Sequence, residues 1–214
     1  MSGGQKTSEL LQIMEAQPVI PVLKIERAAD AVPLARALAR GGLPAIEITL
    51  RTPAALEAIR LAASEVPEAL VGAGTILDAA HFEAATRAGS RFIVSPGAIP
   101  SVYDAAEDSA VPLLPGAITP SEIMAARERG YTVLKFFPAE QAGGAAFLKS
   151  LASPLAETRF CPTGGIGPGN AGDYLKLPNV ICVGGSWVAP DELVAAGNWD
   201  EIERLAREAS GLNR

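Results

Sequence analysis

The stretch 131–140 reads YTVLKFFPAE and sets a lysine inside a run that is otherwise apolar. Val133, Leu134, Phe136 and Phe137 suit a strand, and Pro138 ends it. A buried charge without a partner is costly, so Lys135 must reach water, meet an acid, or give up its proton. Desolvation favours the last of these, and a free amine beside a keto group is a nucleophile that forms a Schiff base. The structural alternative is a lysine whose stem lies on the sheet with its head in solvent, or one paired with an acid for stability alone. Glu47, in AIEITLR, is a second charge inside a strand-like run. It can serve as general acid and base to a substrate, or simply neutralise Lys135.

Other candidates fall where such runs end. Arg51 follows Glu47 by four residues, and a guanidinium there can grip a carboxylate or phosphate with two parallel bonds, though at a strand end it can also be merely solvated. Lys24, just past PVIPVL, is a weaker case of the same kind. The glycine-rich turns CPTGGIGPGN and VGGSWVAP offer backbone amides to an anion at Gly164 and Gly165, and hydroxyls at Thr163 and Ser186. Thr75, in VGAGT, can hold a carboxylate, and Pro96, in SPG, can shape a wall. Cys161 reads as a packed thiol, because no histidine stands near it in sequence to activate it. His81, opening DAAHFEAATRAG, reads as exposed or structural.

These residues need elements to hold them. Eight short apolar runs recur: PVIPVL, AIEITL, ALVGAG, RFIVSP, VPLLPG, TVLKFFP, RFCPTGG and VICVGGS. Between them lie Ala- and Leu-rich segments with helical spacing, such as AADAVPLARALAR. Strands alternating with helices predict an α/β fold with a parallel sheet, and the count of eight predicts a closed (β/α)8 TIM barrel preceded by a short N-terminal helix. Leu10, Leu11 and Met14 mark one face of that helix. No linker interrupts the alternation, so residues 1–214 read as one domain.

The junctions ARGGLPAIEITL, TRAGSRFIVSP and RERGYTVLKFF repeat a helix ending on Arg and Gly before a strand. Glu47, Val94 and Lys135 each lie five residues past the glycine. In an eight-stranded barrel alternate strands fill the same interior layer, so Glu47 and Lys135 are predicted to face inward at similar height. Phosphate sites in such barrels are commonly built from the loops after strands 7 and 8, which is where the two glycine-rich turns fall.

Composition narrows the functional classes. Hydrophobic residues make up 49% of the 214 and charged residues 20%, enough for a sizeable core. The net charge of −6 argues against a nucleic-acid partner. No run approaches the roughly 18 apolar residues of a membrane span, and the N-terminal residues lack the apolar stretch of a signal peptide. Cys161 and Cys182 are too few for a disulfide framework and suit a reducing cytoplasm. A single histidine argues against a protein-built zinc site.

The motifs EITLRT, VGAGT, VSPGA, KFFPAE, FCPTGGI and GGSW stand in the same order, along nearly the whole chain, as in the bacterial 2-keto-3-deoxy-6-phosphogluconate aldolase family, which this sequence resembles. The resemblance implies a class I lyase with no metal or other cofactor, acting through a covalent Schiff base. It implies a phosphorylated keto-acid substrate split into pyruvate and glyceraldehyde 3-phosphate, the closing step of the Entner–Doudoroff pathway, in a cytoplasmic homotrimer. Carried over by motif, Lys135 resembles the Schiff-base lysine and Glu47 the general acid/base. Arg51 and Thr75 resemble the groups that hold the pyruvyl carboxylate. Thr163, Gly164, Gly165 and Ser186 resemble the ring around the carbonyl end and the phosphate, and Pro96 and Phe137 the pocket walls. Two alternatives stay open: a sibling aldolase acting on 4-hydroxy-2-oxoglutarate or the galactonate epimer, and a phosphosugar-binding barrel with no covalent step.

Overall fold

The computed structural model describes residues 3–213. It opens on α1 (Gly3–Glu15) and then alternates strand with helix. The strands are β1 (Val19–Leu23), β2 (Ala45–Thr49), β3 (Leu70–Gly74), β4 (Phe92–Val94), β5 (Leu113–Leu114), β6 (Val133–Phe136), β7 (Arg159–Pro162) and β8 (Val183–Gly185). Between them run α2 (Ala31–Arg40), α3 (Ala55–Glu65), α4 (Ala79–Arg87), α5 (Pro100–Glu107), α6 (Pro120–Glu128), α7 (Gly144–Leu151) and α8 (Ala171–Leu175). After β8 come α9 (Asp191–Ala195) and α10 (Trp199–Ser210). Every one of the eight apolar runs contains a strand.

All the ladders are parallel. Six strands pair in the order β5-β4-β3-β2-β1-β8, and β6 pairs with β7. Isolated bridges connect the two groups: Gly116 to Lys135 on one side, Phe160 to Val180 and Thr163 to Gly184 on the other. Proline explains why β5 is short. Pro112 and Pro115 flank it and have no amide to give, so Lys135 N donates to Pro115 O at 2.9 Å and Ala117 N returns a bond to Lys135 O at 3.0 Å. The result is an α/β fold whose parallel strands curl around an inner face, with helices packed outside.

Side chains alternate along each strand, and the two faces bury different sets. Ile46 and Ile48 of β2 point outward and pack with helix residues such as Leu34, Leu38 and Ile59. Ala45 of β2 joins an inner cluster with Ile20, Phe92, Val94, Leu114, Val133 and Cys161. Leu10 and Met14 of α1 belong to that same cluster and stopper its lower end. Gln17 seals the seam between β1 and β2: Nε2 donates to Val19 O at 2.6 Å and Ala45 O at 2.8 Å, and Oε1 accepts from Ala45 N at 2.8 Å.

The three Arg–Gly junctions share one geometry, with Gly42, Gly89 and Gly130 at φ of +90°, +103° and +87°. Side chains with a Cβ avoid that region, so glycine sets where each following strand begins. The strand's phase is set with it.

Candidate active site

Lys135 and Glu47 meet across the inner face. Lys135 Nζ lies 3.3 Å from Glu47 Oε1, and their side chains are 6% and 4% exposed. β6 and β2 are not neighbouring strands, so the contact spans the interior between them. A buried charge is tolerable when paired and hydrogen-bonded, and this contact answers the question that lysine raised. The Phe137 ring centroid lies 5.3 Å from Nζ and adds an aromatic face to the cation's surroundings. On β7, Cys161 sits opposite Lys135 in the ladder, buried as a packed thiol.

Small residues leave room for the pair. A Cβ on Gly74 would overlap the Glu47 carboxyl group, and one on Gly72 would overlap the Phe92 ring. Directly after Gly74, Thr75 takes φ of +60°. A β-branched residue in the left-handed region is strained, and such strain gathers at functional loops. Ile76 N donates to Val94 O at 3.2 Å and Ser95 Oγ donates to Ile76 O at 2.8 Å, tying the loops after β3 and β4 together. Half-buried Pro96 packs over the end of β5, where a Cβ on Gly116 would strike its carbonyl.

Arg51 lies just beyond β2 with its side chain exposed and oriented. Its Nε donates to Thr49 Oγ1 at 2.9 Å, and Thr49 Oγ1 donates to Leu23 O at 2.8 Å. Thr49 bears no charge that would set it apart within the apolar strand. Its signal was the period of the strand, which places it on the same face as Glu47 two residues earlier. Lys24 goes elsewhere, into an exposed ion pair with Glu26 at 2.6 Å, and the Glu26 carboxylate raises its pKa.

The turn after β7 is held from several sides. Ala139 N donates to Thr163 O at 2.8 Å and Glu140 N to Gly164 O at 3.2 Å, so the turn lies on Phe137–Glu140. Asn170 Nδ2 donates to Gly165 O at 3.1 Å while its Oδ1 accepts from Gly167 N at 2.8 Å. Gly164 and Gly165 have φ of +104° and +73°, which a side chain would disfavour. The Tyr174 hydroxyl donates to Glu140, whose stem a Cβ on Gly165 would strike. Burial, then the nearby carboxylate, raises the Tyr174 pKa. Glu140 closes the KFFPAE motif and Asn170 closes the first glycine-rich turn, but neither residue type announces this hydrogen-bonding role, and Tyr174 lies outside every motif.

Thr163 Oγ1 is buried and has no hydrogen-bond partner among the described residues. An unmatched buried hydroxyl is unfavourable by about 1–3 kcal/mol. The bridge from Thr163 to Gly184 sets this turn beside β8, with exposed Ser186 two residues on. A Cβ on Gly184 would fill the space of the Thr163 hydroxyl.

His81 is remote from this chemistry, its backbone N–H donating to the α4 N-cap Asp78 at 2.7 Å. Among the described residues no group of three or more His, Cys, Asp or Glu could hold a metal ion. No helix among them is long and apolar enough to cross a membrane. The arrangement therefore offers an enclosed amine beside a carboxylate, a guanidinium and a strained threonine at the rim, and a glycine turn with an unmatched hydroxyl.

Residues 10–205 match the family model described as aldolase, KDPG and KHG aldolase. The 2-dehydro-3-deoxy-phosphogluconate aldolase of Pseudomonas aeruginosa is 49% identical over 205 residues, covering 96% of this chain and 93% of that protein. The crystal structure of KDPG aldolase from Legionella pneumophila, with pyruvate captured at low pH as a covalent carbinolamine intermediate, superposes with a TM-score of 0.92. It is 43% identical and covers 94% of this chain and 98% of that one. The 2-keto-3-deoxy-6-phosphogluconate aldolase of Zymomonas mobilis with 3-phosphoglycerate gives a TM-score of 0.89 at 48% identity, with 95% of each chain covered.

Proposed function

This chain belongs to the KDPG and KHG aldolase family and is an aldolase, a carbon–carbon lyase; from that premise we propose that it cleaves 2-keto-3-deoxy-6-phosphogluconate through a Schiff base on Lys135. The observation that carries the reading is the buried contact between Lys135 Nζ and Glu47 Oε1 at 3.3 Å. A proton passed from Nζ to Oε1 leaves a neutral amine beside a carboxylic acid, one group to attack and one to protonate.

In this reading the Lys135 amine adds to the C2 ketone to give a carbinolamine, and Glu47 protonates the departing hydroxyl, which leaves as water. The resulting iminium is an electron sink. Glu47, now a carboxylate, takes the C4 hydroxyl proton, the C3–C4 bond breaks, and its electron pair enters the iminium system to form an enamine. Glyceraldehyde 3-phosphate departs. Protonation of the enamine at C3 gives the pyruvyl iminium, and water releases pyruvate and restores the amine. No step calls for a metal.

Arg51 and Thr75 hold the pyruvyl carboxylate at the rim, and Pro96 and Phe137 line the pocket. Thr163, Gly164, Gly165 and Ser186 take the carbonyl end and the phosphate. Support for phosphate comes from the Gly164–Gly165 turn, whose two carbonyls are occupied by protein donors while its amides find no protein acceptor among the described residues. Binding energy gained at a remote phosphate can be used to position the reacting carbons.

The same reading takes residues 1–214 as one domain in which the eight strands work as a closed (β/α)8 barrel, with the isolated bridges supporting closure. The buried thiols Cys161 and Cys182 fit a cytoplasmic enzyme, and the family resemblance points to a homotrimer. Borohydride reduction in the presence of pyruvate, followed by peptide mass mapping, tests the central step. The expected result is a reduced pyruvyl adduct on Lys135. An unlabelled chain, or a label on another lysine, overturns the reading.

A further inference from the structure

We propose that Thr49 is a positioning residue that fixes the Arg51 guanidinium for the substrate carboxylate. The inference rests on the reading of Arg51 as the carboxylate's grip. Thr49 is buried, and its hydroxyl has a single proton to give. A guanidinium can only donate and a carbonyl can only accept, so the direction of both bonds is forced. The hydroxyl donates to Leu23 O at 2.8 Å and accepts from Arg51 Nε at 2.9 Å. With Nε committed, the plane of the guanidinium is set, and its Nη1 and Nη2 edge remains for a two-pronged bond to a carboxylate. The long arginine stem is thus ordered before substrate arrives, which lowers the entropy lost on binding.

A neighbouring threonine supplies the control. Thr52 Oγ1 donates to Ile25 O at 2.5 Å, so it stitches the same two strand ends together on the other side of Arg51 without bonding to the guanidinium. If Thr49 acted by holding strand ends alone, loss of either hydroxyl would have the same effect.

The readout is the pyruvate concentration that gives half-maximal borohydride trapping on Lys135. Arg51→Met raises it, because the carboxylate loses its cation. Thr49→Val raises it by about tenfold, as expected for losing a hydrogen bond to a charged group, while trapping at saturating pyruvate stays at the wild-type level. Thr49→Ser keeps the hydroxyl and stays within about twofold of wild type, as does Thr52→Val. In an Arg51→Met background, Thr49→Val adds nothing further. Should Thr49→Val fold poorly, the smaller Thr49→Ala makes the same measurement. The proposal is overturned if Thr49→Val leaves half-saturation unchanged, if Thr52→Val matches it, or if its effect persists in full without Arg51. If Arg51→Met itself changes nothing, the carboxylate reading of Arg51 fails first and the role of Thr49 falls with it.

Discussion

Lys135 is expected to be indispensable and Glu47 to be graded in its effect. Lys135→Ala removes the nucleophile, so turnover should vanish while the circular dichroism spectrum stays native; a variant that still cleaves substrate contradicts the assignment. It also strips Glu47 of its partner at 3.3 Å, and uncompensated buried charge is destabilising by about 3–5 kcal/mol when no water reaches it. Adding Glu47→Gln to Lys135→Ala should therefore raise the melting temperature above that of Lys135→Ala alone. Glu47→Gln on its own should slow cleavage by about 10²–10⁴-fold yet still allow the pyruvate adduct to be trapped. Gly74→Ala attacks the same carboxyl sterically, since its Cβ would occupy the space of Glu47. It should lower kcat and also destabilise the fold by about 1–3 kcal/mol, as overpacking of a tight interior does, and an unchanged kcat would mean that Glu47 moves aside without consequence. Much of this pair was legible because a charge in an apolar strand has few places to go. Thr49 and Tyr174 were not, because a threonine in a strand and a tyrosine in a helix satisfy ordinary propensity and leave no conflict to notice.

At the level of elements, the strands were readable from apolar runs and the helix ends from Arg–Gly, because glycine at positive φ is a backbone requirement with a visible residue attached. The helix α6 shows a second kind of legible signal. Thr119 Oγ1 accepts from Glu122 N at 3.3 Å, and Glu122 Oε2 accepts from Thr119 N at 2.8 Å and Ile118 N at 2.9 Å, a capping box ahead of the strand that carries Lys135. The Thr119 amide, then the Ile118 amide, hold the Glu122 carboxyl below its usual pKa of 4.5. A lowered folded pKa stabilises the native state above the unfolded value, and that contribution is lost as pH falls through the folded one. Glu122→Ala should thus lower stability by about 1 kcal/mol at pH 7. The gap from wild type in urea midpoint should close as pH drops below 4.5. A gap that persists in acid would assign the loss to packing instead of the cap. What the sequence hid at this scale was the length of β5, which two prolines cut to a pair of residues.

For the whole molecule, eight strands and the parallel pairing of successive ones could be read from sequence, whereas the thinning of two junctions to isolated bridges could not. The isolated bridges flanking the β6–β7 pair depend on which amides the prolines remove and on contacts distant in the chain. The packing of α5 against the entry to β6 is another such contact, and it makes a global prediction at high pH. Tyr103 on α5 and Tyr131 before β6 have ring centroids 5.1 Å apart, and Arg129 lies 5.0 Å over the Tyr103 ring. Burial chiefly raises both phenols, pushing Tyr131 up to about 12 from its ordinary 10. Between those values the unfolded chain has released the Tyr131 proton while the folded chain still holds it. The unfolded state then binds fewer protons, so stability falls as pH rises. Urea midpoints should decline between pH 10 and 12, and Tyr131→Phe should flatten part of that decline, since its ring keeps the packing and has no proton to lose. Equal slopes in the two proteins would place the alkaline loss elsewhere and leave the Tyr103–Tyr131 contact without a part in it.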